Sequence, residues 1–482
     1  MAAPQAESHE LMSGQLGIWY AQQLAPEDPA YNIAEYLDLR GTVRVDLLVA
    51  ATRRALGEAE AYRLRFRLEG QSPRQYVGAA EDHPVSVVDL RDAADPHAAA
   101  REWMTADLGR PVDLTGGPLS AHAVLVLGED RCLWYQRIHH AALDGSSLTT
   151  FAARVAALYT GALRGEQPEG GALRPLSVLL DADRAYRDSI ELESDRRFWA
   201  EALSDLPPAG EAHGRRLAGH PVVCARDVAP GDAADLRAAA RRLRTGFATL
   251  AISAAALYHH RVTGLRDFAI GVPVGGRTTM SELGVPGMTS NVLPVRFVIG
   301  RGTTVEELLD GTARALRAGL RHQRYQIRDI LADRRLVGHG SLWGLSVNVM
   351  TVDRPLRFGD CEAVRIGLSS GPADELKIDL IGTARGDGLQ TLVQLNRNRH
   401  DPNSGAEIAD RYHRILHALA TAEPGDAVAG LEVLDAAERH RIVDEWNDTA
   451  VVLPGVSVPG LFAAQAVRSP GAVAVVCDGV EV

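Results

Sequence analysis

The sequence predicts a mixed α/β protein, and three observations predict it. Strand-like and helix-like patterns alternate over the first 180 residues, a β-hairpin is legible inside that stretch, and a second alternating region runs from about residue 235 to 435. At 482 residues, with 46% hydrophobic and 23% charged side chains, the composition is that of a globular chain with a sizeable core. That length has room for about three domains of roughly 150 residues each.

The first helical pattern covers Gln15 to Leu24, and a strand pattern follows over Ile33 to Leu39. Ala121 to Leu127 and Arg131 to Ile138 flank the turn Gly128-Glu129-Asp130, so the return strand of this hairpin delivers His139 and His140 to a strand end. After Gly145, apolar residues recur at Leu148, Phe151, Val155, Leu158 and Ala162 with helical spacing, and Asp144, Ser146 and Ser147 are capping residues by type. Gly165 to Pro175 reads as a surface connection, Tyr186 to Leu203 as an exposed helix, and Leu206 to Asp232 as a second irregular stretch. Further on come helices over Ala233 to Arg244 and Phe247 to Arg261, strands near Phe268 to Pro273 and Val292 to Val298, and a helix over Val305 to Gln323. Past Asp435 the pattern weakens; residues 436–457 read as a linker, and 458–482 as one short helix and an apolar strand, Ala472 to Cys477, opening a further domain.

Charge and cysteine usage narrow the function classes. Lys plus Arg total 51 against 62 acidic residues, a formal charge of −11, and no run of basic residues exceeds two, which argues against nucleic acid as a partner. Cys132, Cys224, Cys361 and Cys477 are far apart, without the spacing of a disulfide framework or a zinc site, and no metal is expected. Fifty of the 51 cations are arginine, so lysine chemistry rests on Lys377 alone. No run approaches the ~18 apolar residues of a membrane span, and the N-terminus MAAPQAESHE lacks a signal pattern. The expectation is a cytoplasmic protein away from membranes.

The sharpest local signal is His139-His140-Ala141-Ala142-Leu143-Asp144-Gly145. A neutral imidazole can accept a proton or hydrogen bond from an attacking nucleophile, and His140 opens the loop. The Gly145 amide, where a helix begins, would add a donor and the positive helix end to a developing oxyanion. Asp144 either orients His140 or faces away and ties the loop down through an arginine; the spacing favours neither. A second pair, His259-His260, ends a helix and is followed by Gly264, so it reads as structural.

These residues, and several segments in order, resemble the condensation domain of nonribosomal peptide synthetases, a relative of chloramphenicol acetyltransferase. Ser13-Gly14-Gln15-Leu16-Gly17-Ile18-Trp19 is similar to the family's opening SxAQxRLW motif, departing from it at Gly17, and Arg63-Leu64-Arg65-Phe66 to the end of its second. HHAALDG matches the third motif, Tyr186 and Phe198-Trp199 resemble the fourth region, and Ile270 to Arg277 fits the fifth, IGxPVxGR. Met288 to Arg296 and His322-Gln323 resemble the last two, and Gly371-Pro372 with Asp374 points to the enterobactin-synthetase type. Leu461-Phe462-Ala463-Ala464-Gln465, with Ser469-Pro470 and Ala472 to Val475, is similar to the start of an adenylation domain.

The resemblance implies two acetyltransferase-like lobes, each an α+β two-layer sandwich, in a V-shaped pseudodimer with a tunnel between them. The lobes would be residues 1–180 and 181–435, with the truncated adenylation start at 458–482. It implies an acyltransferase: the amine of an acceptor aminoacyl thioester attacks a donor acyl thioester, both on phosphopantetheine arms of carrier proteins, with no cofactor bound by the domain itself. His140, His139 and Gly145 would be the catalytic residues, Asp144 would pair with Arg277 to support the loop, and Ser290, Asn291, Trp343 and Asn348 would line the channel. The donor carrier would arrive in trans, because Met1 falls just before the first motif, and the acceptor carrier would lie downstream, beyond the adenylation domain. Rival readings are an epimerisation domain, opposed by the PVGGR segment and the adenylation start; an ester-forming or lipid-initiating condensation domain; and a non-catalytic domain of the same fold that recruits carriers or other partners.

Overall fold

A computed structural model describes residues 7–79, 83–207, 209, 221–337, 341–350, 356–382, 388–452 and 455–482. Contacts divide the chain into a large unit, Met1–Glu432, and a small one, Val433–Val482. Of the irregular stretch expected at 206–232, residues 208 and 210–220 lie outside the described residues.

Two six-stranded sheets organise the large unit. In the first, the strands run in the order Arg357–Phe358, Cys361–Ser370, Asn32–Arg40, Arg131–His139, Ser120–Val126 and Val85–Asp89. The expected hairpin is the Ser120–Val126/Arg131–His139 pair, and the register sets Asn32 opposite His139. Asn32–Arg40 is buried on both faces, as a central strand must be when helices cover it twice. Ile33, Leu37 and Leu39 join Trp134, Phe151 and Tyr62 in the larger core, where helices Val45–Glu58 and Gly145–Arg164 pack. Ala34 and Tyr36 point the other way, to Met104 and Leu108 of helix Pro96–Leu108. This lobe therefore carries a third layer beyond the two expected.

The second sheet has the order Asn291–Val298, Asp267–Val274, Leu345–Met350, Leu376–Gly382, Leu389–Leu395 and Val222–Val228. The last of these lies inside the segment read as irregular. It is an edge strand whose burial alternates residue by residue, a weak signal beside the surrounding Pro and Gly. Ile378, Leu380, Val393 and Leu395 are buried, as are the helical residues Leu250 to Tyr258 and Tyr412. Tyr412 ties helix Gly405–Thr421 to helix Phe247–Thr263 by donating to the Ala251 carbonyl at 3.1 Å. Where one helix was expected over 186–203, two occur, Ser177–Arg187 and Ile190–Ala202.

The lobes do not divide cleanly at residue 180. After Leu345–Met350 in the second sheet, Arg357–Phe358 and Cys361–Ser370 pair into the first sheet beside Asn32–Arg40, and the chain then returns to the second as Leu376–Gly382. A β-bulge between Gly367 and Ser369 breaks the register of the crossing strand. Hydrogen bonding between distant segments decides this exchange, and no local pattern encodes it.

The motif segments meet in space. Trp19 packs on Phe66 at 5.4 Å between ring centroids. Asp195 accepts from the Tyr186 hydroxyl at 2.8 Å and lies 2.7 Å from His322 Nδ1, while Phe198 stacks on the His322 ring and Trp199 donates to the His322 carbonyl at 3.0 Å. The fourth and last motifs are thus one brace. His260, of the second pair, bonds to the Leu265 carbonyl at the helix end, and Gly264 terminates that helix with a positive φ of 72°.

The small unit holds helix Val458–Arg468 and a hairpin, Val476–Cys477 with Val480–Glu481, shorter than the strand expected over Ala472 to Cys477. Among the described residues, no helix is long and apolar enough to cross a membrane.

Trp343, expected in the channel, is instead 7% exposed and packed flat over Gly271, where an added Cβ would sit 2.6 Å from its Cε2. Gly271→Ala is therefore expected to destabilise the fold by about 1–3 kcal/mol through overpacking. Gly275→Ala, where nothing lies within 4 Å, should cost less than about 0.5 kcal/mol. Urea unfolding of the two variants checks this, and equal midpoints would refute it.

Candidate active site

The site is built where strand Arg131–His139 ends and helix Gly145–Arg164 begins. The first helix, Ser13–Leu24, holds this loop from behind: Gln15 Nε2 donates to the Ala141 carbonyl at 3.0 Å, and Gln22 Oε1 lies 3.1 Å from His139 Nε2. The glutamine of the opening motif is therefore a loop support, a role that motif order alone does not state.

The two histidines divide their work. His139, 1% exposed, accepts from the Ala141 amide through Nδ1 at 3.2 Å and donates from Nε2 to Gln22, so neither nitrogen is open to a substrate. Burial, then the neighbouring His140 and Arg137, push its pKa down to about 3. Its place among the catalytic candidates is thus corrected to that of a neutral buried brace, because it ends a strand buried on both faces and the chain claims both of its nitrogens. His140 is partly exposed; its amide donates to the Tyr31 carbonyl at 2.8 Å and its Nδ1 lies 3.0 Å from the Leu143 carbonyl. A carbonyl can only accept, so Nδ1 carries the proton and Nε2 presents a lone pair. Burial, opposed by Asp144 and aided by Lys377, holds the imidazole below its ordinary pKa.

Asp144 faces away from His140, which decides between the two alternatives left open by spacing. Its Oδ1 accepts from the Ser146 hydroxyl at 2.8 Å and from the Ser147 hydroxyl and amide at 2.8 and 3.1 Å, capping the helix. Its Oδ2 takes Arg277 Nη1 at 2.8 Å and the Thr289 amide at 3.2 Å. Arg277 also donates to the Val285 and Gly287 carbonyls at 2.9 and 3.0 Å, and the two side chains of the pair are 5% and 2% exposed. Burial works against the charged carboxyl, but Arg277 and the other donors outweigh it and hold Asp144 below the usual aspartate range. Gly276, at φ 68°, lets the chain turn here, since a Cβ would fall 1.9 Å from the Thr289 carbonyl.

Gly145 is the first helical residue, exposed, with a Cβ position that meets nothing within 4 Å. Its amide belongs to the helical turn whose N–H groups have no intrahelical acceptor.

The remaining channel candidates separate. Asn291 is 4% exposed and spends its whole amide on the chain, donating to the Gln323 and Tyr325 carbonyls at 2.9 and 2.8 Å and accepting from the Val292 and Ile327 amides. It is a clamp, and like Trp343 it is removed from the channel set. Ser290 is partly exposed and its hydroxyl contacts Met288 Sδ at 3.4 Å. Asn348 is partly exposed and stands in register with Asp379.

The Condensation domain family matches residues 5–443. The chain is 34% identical over 479 residues to a dimodular nonribosomal peptide synthase of Bacillus subtilis (strain 168), covering 98% of this chain and 20% of that protein. It is 30% identical over 470 residues to enterobactin synthase component F of Escherichia coli (strain K12), covering 96% of this chain and 36% of that protein. The crystal structure of the first condensation domain of the CDA synthetase superposes with a TM-score of 0.81 at 29% identity, over 89% of this chain and 99% of that one.

Two outcomes follow from the site's electrostatics. Arg277→Ala leaves the Asp144 charge buried and should cost about 3–5 kcal/mol, while Asp144→Asn/Arg277→Met should recover more than half of the loss in a urea double-mutant cycle. His139 and His122, both pushed down to about 3 by burial, bind protons only in the unfolded state between about pH 3 and 6.5. Stability should therefore fall as pH drops below about 6.5, by up to ~1.4 kcal/mol per pH unit for each. His139→Asn should flatten that slope, and parallel curves for wild type and variant would refute the assignment.

Proposed function

Because this chain belongs to the condensation-domain family, we propose that it joins a donor acyl or aminoacyl thioester to the amine of an acceptor aminoacyl thioester. A carbon–nitrogen bond forms, the donor carbon–sulfur bond breaks, and the thiol stays on the donor arm. The chain spans 20% and 36% of the lengths of the two synthetases compared above, so carriers, donor and acceptor identities belong to this proposal. Both substrates would arrive on phosphopantetheine arms of carrier proteins, as parts of the substrates, with a donor carrier in trans, and with the adenylation domain and acceptor carrier following in the chain. Nonribosomal peptide or siderophore assembly is the corresponding pathway class, and the cytoplasm its place.

One observation carries the reading: a neutral His140 with Nδ1 locked to the Leu143 carbonyl and Nε2 without a protein partner among the described residues. An α-amine with a pKa of about 8 is partly free base near neutral pH, so attack needs orientation more than a strong base. Nε2 accepts a hydrogen bond from the amine, aiming the nitrogen lone pair at the thioester carbon, then takes the ammonium proton of the tetrahedral intermediate and gives it to the sulfur as the carbon–sulfur bond breaks, which restores the neutral ring. In this reading the Gly145 amide donates to the oxyanion, where the helix end adds its positive dipole. Asp144 and Arg277 hold the loop and transfer no proton.

In a single-turnover assay with two loaded carriers, His140→Ala should slow product formation by about a hundredfold or more while its unfolding midpoint stays close to wild type. Gly145→Ala should fold normally, because the Cβ meets no protein atom, and lose turnover by crowding the acyl group. Equal product from wild type and His140→Ala would replace this reading with carrier recruitment.

A further inference from the structure

Lys377 is the one lysine in a chain that otherwise uses arginine, and it is 7% exposed. Along strand Leu376–Gly382, alternation sends Ile378 and Leu380 into the core and Lys377 and Asp379 to the opposite face. Register adds Ser346, Asn348 and Gln394 to that polar face. It meets the end of the crossing strand: Lys377 Nζ donates to the Ser370 carbonyl at 3.0 Å, and the Ser370 hydroxyl donates to Asp379 Oδ2 at 2.9 Å. Gln394 Nε2 donates to the same two side-chain oxygens.

Gly371 follows directly, at φ 97°, and a Cβ there would lie 3.1 Å from His140 Cδ2 and 3.7 Å from Nε2. The lysine anchor is thus one residue from the backbone that backs the reactive edge of the imidazole. Asp379 neutralises the ammonium only loosely, with Oδ1 at 4.0 Å from Nζ, and that oxygen is buried without a hydrogen-bond partner among the described residues. The charged or titratable groups facing His140 are Asp144, already engaged by Arg277; His139, neutral; and Lys377, with Asp379 behind it. A compact ammonium reaches one carbonyl as a point charge, which a planar guanidinium fork does less well.

We propose that Lys377 is a positioning residue for His140: its ammonium anchors the Ser370 carbonyl and seats Gly371 against the imidazole edge that presents Nε2 to the incoming amine. The role of Nε2 rests on the amide-forming reading above; the state of the ring does not. Lys377 and burial both disfavour a second positive charge on the ring, so removing the ammonium makes His140 easier to protonate.

The test is a histidine 13C NMR titration of wild type, Lys377→Arg, Lys377→Met and the charge-balanced Lys377→Met/Asp379→Asn, with His140→Ala assigning the resonance, alongside single-turnover rates at pH 6 and 8. The expected result is an upward shift of the His140 midpoint in both Met variants, near-wild-type titration in Lys377→Arg, and a rate ratio between pH 8 and 6 that grows by about threefold in the Met variants. The double variant leaves no uncompensated carboxylate and keeps the test open should Lys377→Met fail to fold. A His140 midpoint unchanged in the Met variants overturns the proposal even if their rates drop uniformly. Absence of product from wild type would overturn the amide-forming reading alone, because the titration needs no turnover.

Discussion

The buried pair of Asp144 and Arg277 is the constraint on which the site depends. One partner caps the helix that carries Gly145, and the other comes from the segment after strand Asp267–Val274 of the second sheet. Two buried ions are costly to desolvate, and the cost is offset here because Asp144 accepts from Ser146, Ser147 and Thr289 as well as from Arg277, while Arg277 also satisfies two carbonyls. With so many donors committed, the carboxylate has no capacity left to orient His140, and the Leu143 carbonyl does that instead.

The loop is also held from two other directions. The first helix reaches it through Gln15 and Gln22, and the crossing strand reaches it through Gly371. Strand Cys361–Ser370 pairs with Asn32–Arg40 in the first sheet yet is bonded at its end to Lys377 and Asp379 of the second. The imidazole is therefore flanked by elements from both sheets, and its protonation answers to charges on both. A neutral ring fixed in one tautomer suits a reaction whose nucleophile already has a lone pair.

Much of the fold was legible in local pattern. The hairpin, the helix after Gly145, and the strands near residues 268 and 292 carry strong periodicity and clear turn residues, and they occur where spacing put them. The edge strand Val222–Val228 and the crossing strand did not announce themselves, since each is defined by its partner. Within the site, the sequence favoured His140, which opens the loop, and Gly145, but it could not exclude His139, nor remove Asn291 and Trp343 from the channel set. Those depend on which way a side chain points and what has already claimed its polar atoms. Lys377 did leave a signal, as the one lysine of the chain, but its relation to His140 could not be read across the 236 residues between them.

By itself the sequence determined the alternating architecture, the strand–loop–helix frame of the histidines and the order of the motifs, because these follow from short-range periodicity and turn chemistry. Only the tertiary structure decided which imidazole is open, that Asp144 serves Arg277, and that one strand exchanges sheets. Those are contests for hydrogen-bond partners among residues far apart in the chain, and they are settled only when burial forces every polar group to find one.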